Sequence, residues 1–297
     1  MHLPRPVVRA LSGPSYRLSL NPRLPVAAQR RLSAASSQLL RPPRGTHIDH
    51  VRLGGCHAER VTFGASRRPR AVLYLHGGAY ILGSARMYRA MAGHLARAGH
   101  AVVYTLDYRL APEHPYPAAL EDAVAAFRAI LAADNLDPAH VAIAGDSAGG
   151  GLAVAAARVL TDAGQRPGAL ALLSPWTDPS DTDMPERDFV VRRSWGHRSA
   201  GLYRGTTAAN DPGYAPMHLD DSDFAKLPPL LVHAAAGEML SAQIRRFSER
   251  ADDAGADVRY VELPGFWHSA HVLAGTYRQA TDAVTGVGAF VRRHLDG

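Results

Sequence analysis

A serine between two glycines lies in the segment whose residue types point most clearly to chemistry. Residues 145–149 read Gly-Asp-Ser-Ala-Gly, and they follow an apolar run, 141–144, that is suited to a buried strand. A small-residue stretch of helical composition, 152–160, comes next. G-x-S-x-G between a strand and a helix is typical of a nucleophile elbow, where a strained turn exposes the serine and only very small residues can flank it. We therefore predict that Ser147 is a nucleophile; a plain glycine-rich turn is the alternative.

A histidine is the usual base that takes the proton from such a serine. Among the histidines that follow Ser147, the best candidate is His268, which ends a Pro-Gly-Phe-Trp-His loop after the alternating run 258–263. That position is the carboxyl end of a predicted strand. His271 is close but would lie about one helical turn further on. The alternative for His268 is an ordinary surface histidine.

An acid must hold the histidine in the correct tautomer and stabilise the imidazolium. After a nucleophile elbow the chain order is serine, acid, histidine. Glu238 directly follows the apolar run 230–236, precedes His268, and is the only acid in its loop. We predict that it is the third catalytic residue, although a glutamate at this position could simply be favoured by a helix dipole.

Backbone donors for a developing oxyanion are predicted in a second glycine-containing loop. Residues 76–80 read His-Gly-Gly-Ala-Tyr and follow the apolar run 71–75. A glycine pair lets N–H groups turn towards the serine without side-chain obstruction. We expect the oxyanion to be held by the N–H groups of Gly77 and Gly78 together with that of Ala148.

The elements that position these residues alternate along the chain. Strands are predicted at 47–53, 58–63, 71–75, 101–108, 141–144, 169–174, 230–236 and 258–263, and helices at 87–98, 117–133, 152–160, 240–254 and 276–295. This alternation predicts an α/β fold with a mostly parallel sheet covered by helices on both faces. Ligands bind beyond the carboxyl ends of the strands in such sheets, where the predicted residues follow their strands.

Composition is consistent with one large α/β domain, with or without a small cap. The chain has 297 residues, of which 46% are hydrophobic. Cys56 is the only cysteine, which excludes an internal disulfide and favours the cytoplasm. No apolar run approaches the length of a membrane span.

The positive charge is concentrated in an N-terminal arm. The formal net charge is +6, yet residues 1–48 contain eight arginines and no acid. Because the basicity belongs to an arm, we expect no nucleic-acid partner. Prolines limit the predicted arm helices to short pieces, and Leu32, Ala35 and Leu39 fall on one helix face. That face should pack on the main domain; contact with a membrane and an organellar transit peptide are the alternatives.

Metal and nucleotide chemistry fit poorly. The histidine pairs at 47 and 50 and at 268 and 271 have i, i+3 spacing, but neither belongs to an H-E-x-x-H motif or another recognisable metal set. The glycines at 149–151 lack the spacing of a dinucleotide-binding motif. We therefore predict neither a metal nor a cofactor.

The chain resembles the hormone-sensitive lipase family of α/β-hydrolases, in its bacterial carboxylesterase branch. Three segments carry the resemblance: 76–80, 145–149 and the run 107–118, Asp-Tyr-Arg-Leu-Ala-Pro-Glu-His-Pro-Tyr-Pro-Ala. It extends through 173–176, 211–216 and the loops of the predicted acid and base, and covers roughly residues 20–295.

This resemblance implies an esterase with a cap over its site. The cap would comprise the arm, 1–45, and part of 178–224, while residues 46–297 would form the hydrolase domain. The substrate would be a small-molecule ester with a short or medium acyl group, and a homodimer is consistent with related proteins. Candidates for substrate contact are Tyr80, Trp195 and Phe266.

Two departures from the family pattern concern the site. Ala79 stands where a third glycine is frequent, and the acids that often follow the catalytic acid are missing after Glu238. The same triad could serve an amidase, formamidase or lactonase. A ligand-binding relative without turnover, such as the plant gibberellin receptors, is a further alternative, but those proteins lack the histidine that His268 supplies here.

Overall fold

One eight-stranded sheet forms the centre of the computed structural model, which describes residues 2–64 and 70–296. The strands are β1 (Thr46–Leu53), β2 (Cys56–Phe63), β3 (Ala71–Leu75), β4 (Val102–Leu106), β5 (Val141–Asp146), β6 (Ala169–Leu173), β7 (Leu230–Ala235) and β8 (Val258–Leu263). Their order is β1-β2-β4-β3-β5-β6-β7-β8. The first two strands join antiparallel, and β4, β3 and β5–β8 run parallel. The predicted α/β-hydrolase fold class is confirmed.

Burial explains why the central strands read as continuous apolar runs. Every residue of β3, β5, β6 and β7 is buried, as expected for parallel strands covered on both faces. The edge strands β1 and β8 contain exposed and partly buried positions instead. The strand predictions differ from the structure by only a few residues at the ends.

Helices cover the sheet on both faces. They are α1 (Arg5–Ser19), α2 (Val26–Ser37), α3 (Arg89–Gly99), α4 (Ala118–Asp134), α5 (Ala148–Asp162), α6 (Arg193–Arg204), α7 (Asp221–Lys226), α8 (Ser241–Asp253) and α9 (Arg278–Leu295). The α3 and α9 helices pack on one face through residues such as Leu95 and Val291. On the other face lie α4, α5 and α8, with Phe127 and Phe247 in the core.

The arm differs from its prediction in two respects. The α1 helix runs for 15 residues with Pro14 inside it, so the prolines do not limit the arm to short pieces. The predicted apolar face is also wrong, because α2 ends at Ser37 and Leu39 is 84% exposed. The buried residues of α2 are Gln29 and Ser33, one helical turn apart, and Gln29 Oε1 accepts a hydrogen bond from Trp195 of α6 at 2.7 Å. Within the described ranges, no helix is long and apolar enough to cross a membrane.

Candidate active site

Ser147 occupies the turn between β5 and α5, in a backbone conformation that few non-glycine residues adopt. Its φ is 51° and its ψ is −121°. The flanking glycines are required by contact: a Cβ on Gly145 would clash with the carbonyl of Gly149, and a Cβ on Gly149 would clash with that of Leu75 in β3. The sequence pattern therefore reflects a turn in which only glycine fits on either side of the serine.

Ser147, His268 and Glu238 form one hydrogen-bonded chain. His268 Nε2 lies 2.9 Å from Ser147 Oγ, and His268 Nδ1 lies 2.6 Å from Glu238 Oε2. The second glutamate oxygen accepts the backbone N–H of Ala235 at 2.7 Å, which fixes the carboxylate. These three side chains follow β5, β7 and β8, so the carboxyl edge of the sheet brings together residues that are distant in sequence.

The environment of His268 changes its basicity. Burial alone would lower the pKa of His268, but the hydrogen bond and the charge of Glu238 outweigh it and raise the pKa above 6.5. The imidazole is 6% exposed and Glu238 is 3% exposed, so the interaction is shielded from water. This arrangement stabilises an imidazolium that forms when His268 accepts a proton.

The predicted donor Gly77 is directed away from Ser147. Its N–H donates to Asp146 Oδ1 at 2.9 Å and to the Tyr88 hydroxyl at 3.0 Å, both in the protein interior. The prediction that Gly77 holds the oxyanion is therefore not supported, because its donor already has buried acceptors. The reason is the parallel register of β3 and β5, which sets Leu75 opposite Gly145 and places Asp146 beside Gly77.

Three neighbouring N–H groups remain available next to Ser147. Those of Gly78, Ala79 and Ala148 have no acceptor among the described residues. Gly78 and Ala79 have φ angles of 119° and 52°, and a Cβ on Gly78 would clash with the carbonyl of Leu82. Sequence reasoning missed Ala79 as a donor, although its position directly after the glycine pair was a usable signal.

The buried Asp146 holds residues 76–80, the candidate oxyanion loop, against the elbow. Besides Gly77, it accepts hydrogen bonds from the hydroxyls of Tyr74 at 2.9 Å and Tyr88 at 3.1 Å. Burial raises the pKa of Asp146, while these three donors oppose that shift. Nearby, the Tyr108 hydroxyl donates to the carbonyl of His76 at 2.6 Å. Tyr108 belongs to the 107–118 run, so this run supports the loop from behind.

Arg30 of α2 fastens the arm to the same supporting run, and sequence reasoning gave no signal for it. Its guanidinium donates to the carbonyl of Ala111 at 2.8 Å and forms a two-pronged ion pair with Glu113 at 2.7 and 2.9 Å. It also donates to the carbonyl of Ile81, just after the oxyanion loop, at 2.8 Å. One arm side chain therefore links two segments that support the site.

Two cavities meet at Ser147 and His268. The larger is about 470 Å³, and the arm contributes apolar side chains to its wall: Leu3, Val8, Leu11, Leu20, Leu39 and Leu40. The smaller is about 30 Å³ and lies against Trp176, Met184, Met239 and Leu240. Trp195 of α6, one of the three residues predicted to contact the substrate, lines both cavities.

The other two substrate-contact candidates lie outside the walls of both cavities. Tyr80 is 2% exposed and stacks on Tyr203 with 3.6 Å between ring centroids. Phe266 packs against His271 and Tyr277 on the far side of the His268 loop. Tyr80 and Phe266 were predicted from their aromatic type and their position beside a motif, and neither property determines the direction of a side chain.

His271 is not an alternative base, because it pairs with another buried histidine. Its Nε2 lies 3.1 Å from Nδ1 of His233 on β7. Burial lowers the pKa of His233 to about 4 and that of His271 well below 6.5. Both rings are therefore neutral near pH 7 and belong to the packing beneath the site.

Comparison with known proteins identifies the family. The sequence model of the α/β-hydrolase fold matches residues 72–272. An acetyl-hydrolase of Streptomyces hygroscopicus is 39% identical, with 82% of each chain covered, and an esterase of Acinetobacter venetianus is 31% identical over 82% of this chain and 81% of that protein. The crystal structure of an esterase from the bacterial hormone-sensitive lipase family superposes with a TM-score of 0.90 at 34% identity, covering 99% of this chain and all of the other.

The fold and the elbow serine define an α/β-hydrolase, a serine hydrolase of the carboxylesterase class. Within that class the chain belongs to the bacterial hormone-sensitive lipase family. The resemblance inferred from three short motifs is confirmed over nearly the whole chain.

Proposed function

We propose that the protein hydrolyses carboxylic esters through an acyl-enzyme formed on Ser147. The observation that carries this proposal is the hydrogen-bonded chain from Ser147 through His268 to Glu238. Ser147 Oγ attacks the ester carbonyl and His268 Nε2 takes its proton. Collapse of the tetrahedral intermediate breaks the bond to the alcohol, which leaves with that proton. Water then attacks the acyl-enzyme with His268 again as base, releases the acid and restores Ser147.

The oxyanion in this mechanism is held by the N–H groups of Gly78, Ala79 and Ala148. Their lack of other acceptors among the described residues supports this role. Each such donor lowers the barrier by about 3 kcal/mol in comparable sites. The methyl group of Ala79 is compatible with the role, because the donor belongs to the backbone.

The sizes of the two cavities favour a short acyl group and a larger apolar alcohol. Ser269, Val272 and Leu273, which follow His268, line the large cavity and not the small one. Since His268 must protonate the leaving alcohol, we assign the alcohol to the large cavity. The acyl group then enters the small cavity of about 30 Å³. A water-sized group such as a methyl or methylene needs about 10–15 Å³ by this measure, so the cavity has room for two or three of them.

A cap made from the arm, residues 1–45, and part of 178–224 completes the site. The arm supplies much of the large cavity's apolar wall, and Trp195 lines both cavities. The remainder of 46–297 is the hydrolase domain in this proposal. The names of the acetyl-hydrolase relatives agree with a short acyl group.

The test is hydrolysis of p-nitrophenyl esters from acetate to palmitate. We expect kcat/KM to peak at acetate or propionate and turnover to vanish in Ser147→Ala. Met239→Ala enlarges the small cavity and should raise the ratio of kcat/KM for the butyrate ester to kcat/KM for the acetate ester about tenfold. Butyrate has two more CH₂ groups than acetate, and each contributes about 0.8 kcal/mol when buried.

The matched control for this series is Met217→Ala. It removes the same atoms from a buried methionine that does not line the small cavity, and it should leave the ratio unchanged. A peak at long acyl chains would reverse the assignment of the cavities. No turnover of any ester by folded protein would contradict the function and favour a non-catalytic ligand binder.

A further inference from the structure

A groove rich in arginine opens on the outer side of the cap, between α1 and the segment 187–192. Its volume is about 360 Å³. The charged residues that line it are four arginines and one aspartate: Arg9, Arg17, Arg187, Arg192 and Asp188. Arg187 and Arg192 are directly opposite each other in an isolated antiparallel β-bridge, so their side chains extend to the same side of it. We refer to this feature as the arginine groove.

The positive charge of the arginine groove is not neutralised by the protein. The carboxylate of Asp188 is already occupied: one oxygen accepts the N–H groups of Val190 and Val191, each at 2.7 Å, and the other accepts that of Met239 at 2.9 Å. In the part of the chain that the structure describes, no carboxylate forms an ion pair with any of the four arginines. The four arginines outnumber the single carboxylate of Asp188. Like charges gathered in excess repel, and an anion bound among them would relieve that repulsion.

One of these arginines is held in place by aromatic contact. The Arg9 guanidinium lies over the ring of Phe189, 4.1 Å from its centroid, and 5.8 Å from that of Trp267. Stacking orders the guanidinium without using its N–H donors. The N–H donors of Arg9 have no acceptor among residues 2–64 and 70–296, and such an ordered guanidinium suits a planar or tetrahedral oxyanion.

We propose that the arginine groove binds an oxyanion group, a carboxylate or a phosphate. Tyr16, Leu20, Val190 and Val191 line both this groove and the large cavity that begins at Ser147. One source of the anion is therefore the far end of an ester whose apolar middle fills the large cavity, and the other is a free phosphate. The substrate-borne source rests on the proposed function; the anion site itself does not.

The experiment measures binding in the Ser147→Ala variant, which separates recognition from turnover. Three probes are titrated by calorimetry: inorganic phosphate, ω-acetoxydodecanoate, and the uncharged methyl ester of that carboxylate. We expect the carboxylate to bind at least about tenfold more tightly than its methyl ester. Adding Arg9→Gln with Arg187→Gln, or separately Arg17→Gln with Arg192→Gln, should abolish that preference.

The control pair is Arg278→Gln with Arg293→Gln, two exposed arginines of α9 outside the groove. It should keep the preference. Sub-millimolar phosphate binding that the groove variants lose, with equal binding of the carboxylate and its methyl ester, would assign the groove to a free anion. The proposal would be overturned if the carboxylate and its methyl ester bind equally and phosphate does not bind. It would also be overturned if the preference for the carboxylate survives in both groove variants. Hydrolysis of p-nitrophenyl acetate by the protein with Ser147 intact is measured in parallel, so that a failure of the esterase function is seen separately.

Discussion

At the scale of single residues, the site depends on contacts that place ordinary groups in unusual environments. Ser147 is held at a φ of 51°, and His268 is buried against Glu238. The sequence predicted these three because each follows a strand in the order that the chemistry needs. It could not predict that Gly77 turns inward, since this depends on the register that places Asp146 beside it.

Replacing Glu238 by glutamine tests the cause of the raised pKa of His268. The amide removes the charge that stabilises imidazolium, so we expect kcat/KM to fall by about 10²–10⁴-fold, as for comparable triads. In the proposed mechanism the neutral imidazole is the active form, and activity is therefore expected to rise with pH through the pKa of His268. Because that pKa is lowered in the variant, the acidic limb of the pH–rate profile should move to lower pH.

The control for this variant is Glu262→Gln, which changes an exposed acid on β8. Both profiles are measured with p-nitrophenyl acetate. If Glu238→Gln leaves both kcat/KM and the acidic limb of the pH–rate profile unchanged, the acid role belongs to another residue.

The histidine pair beneath the site predicts a loss of stability in acid. His233 has a folded-state pKa of about 4, below its ordinary value of 6.5, so the unfolded chain binds protons more readily. The stability that it contributes is complete above pH 6.5 and is lost as the pH falls towards 4. His233→Gln retains an amide that can bond to His271 and should show a smaller loss. Urea unfolding at pH 7.5 and pH 5.0 measures this difference, and equal losses in both proteins would contradict it.

At the scale of elements, the regular part of the fold was predictable and the arm was not. Buried strands such as β3 and β5 are marked by uninterrupted apolar runs, and their helices by composition. In the arm, α2 packs through Gln29 and Ser33 rather than through Leu32, so hydrophobic periodicity predicted the wrong face. The link through Arg30 joins residues more than 50 positions apart, which no local pattern reveals.

Arg30→Gln should loosen the arm over the large cavity. The half-exposed ion pair with Glu113 adds little by itself, but the bonds to Ile81 and Ala111 are partly buried. We expect a loss of about 1–2 kcal/mol in unfolding free energy and a several-fold rise in KM for esters of large alcohols. Arg31→Gln is the matched control, since Arg31 is exposed and without an ion pair within the described residues. If the two variants behave alike in denaturant and in KM, the anchoring role of Arg30 is wrong.

At the scale of the whole molecule, one edge of the sheet carries the proposed reacting groups, and the proposed cap lines the large cavity that leads to them. The three proposed triad residues and the loop 76–80 follow β3, β5, β7 and β8, while part of the large cavity's wall comes from the arm, with Trp195 of α6 beside it. The sequence predicted the first part through spacing, and only Trp195 of the second, because side-chain direction in the cap depends on long-range packing. Location in the cytoplasm and a homodimer stay predictions, and contact of the arm with a membrane stays the alternative to packing.

The central claim is that an acyl group is transferred to Ser147 during turnover. Wild-type protein is mixed with p-nitrophenyl acetate, quenched in acid during the first turnovers, digested and analysed by mass spectrometry. The mechanism predicts an acetyl group on the peptide that contains Ser147, formed as fast as p-nitrophenol is released and absent in Ser147→Ala. Steady hydrolysis without acetylation of this peptide, or with acetylation of a different residue at the catalytic rate, would contradict it.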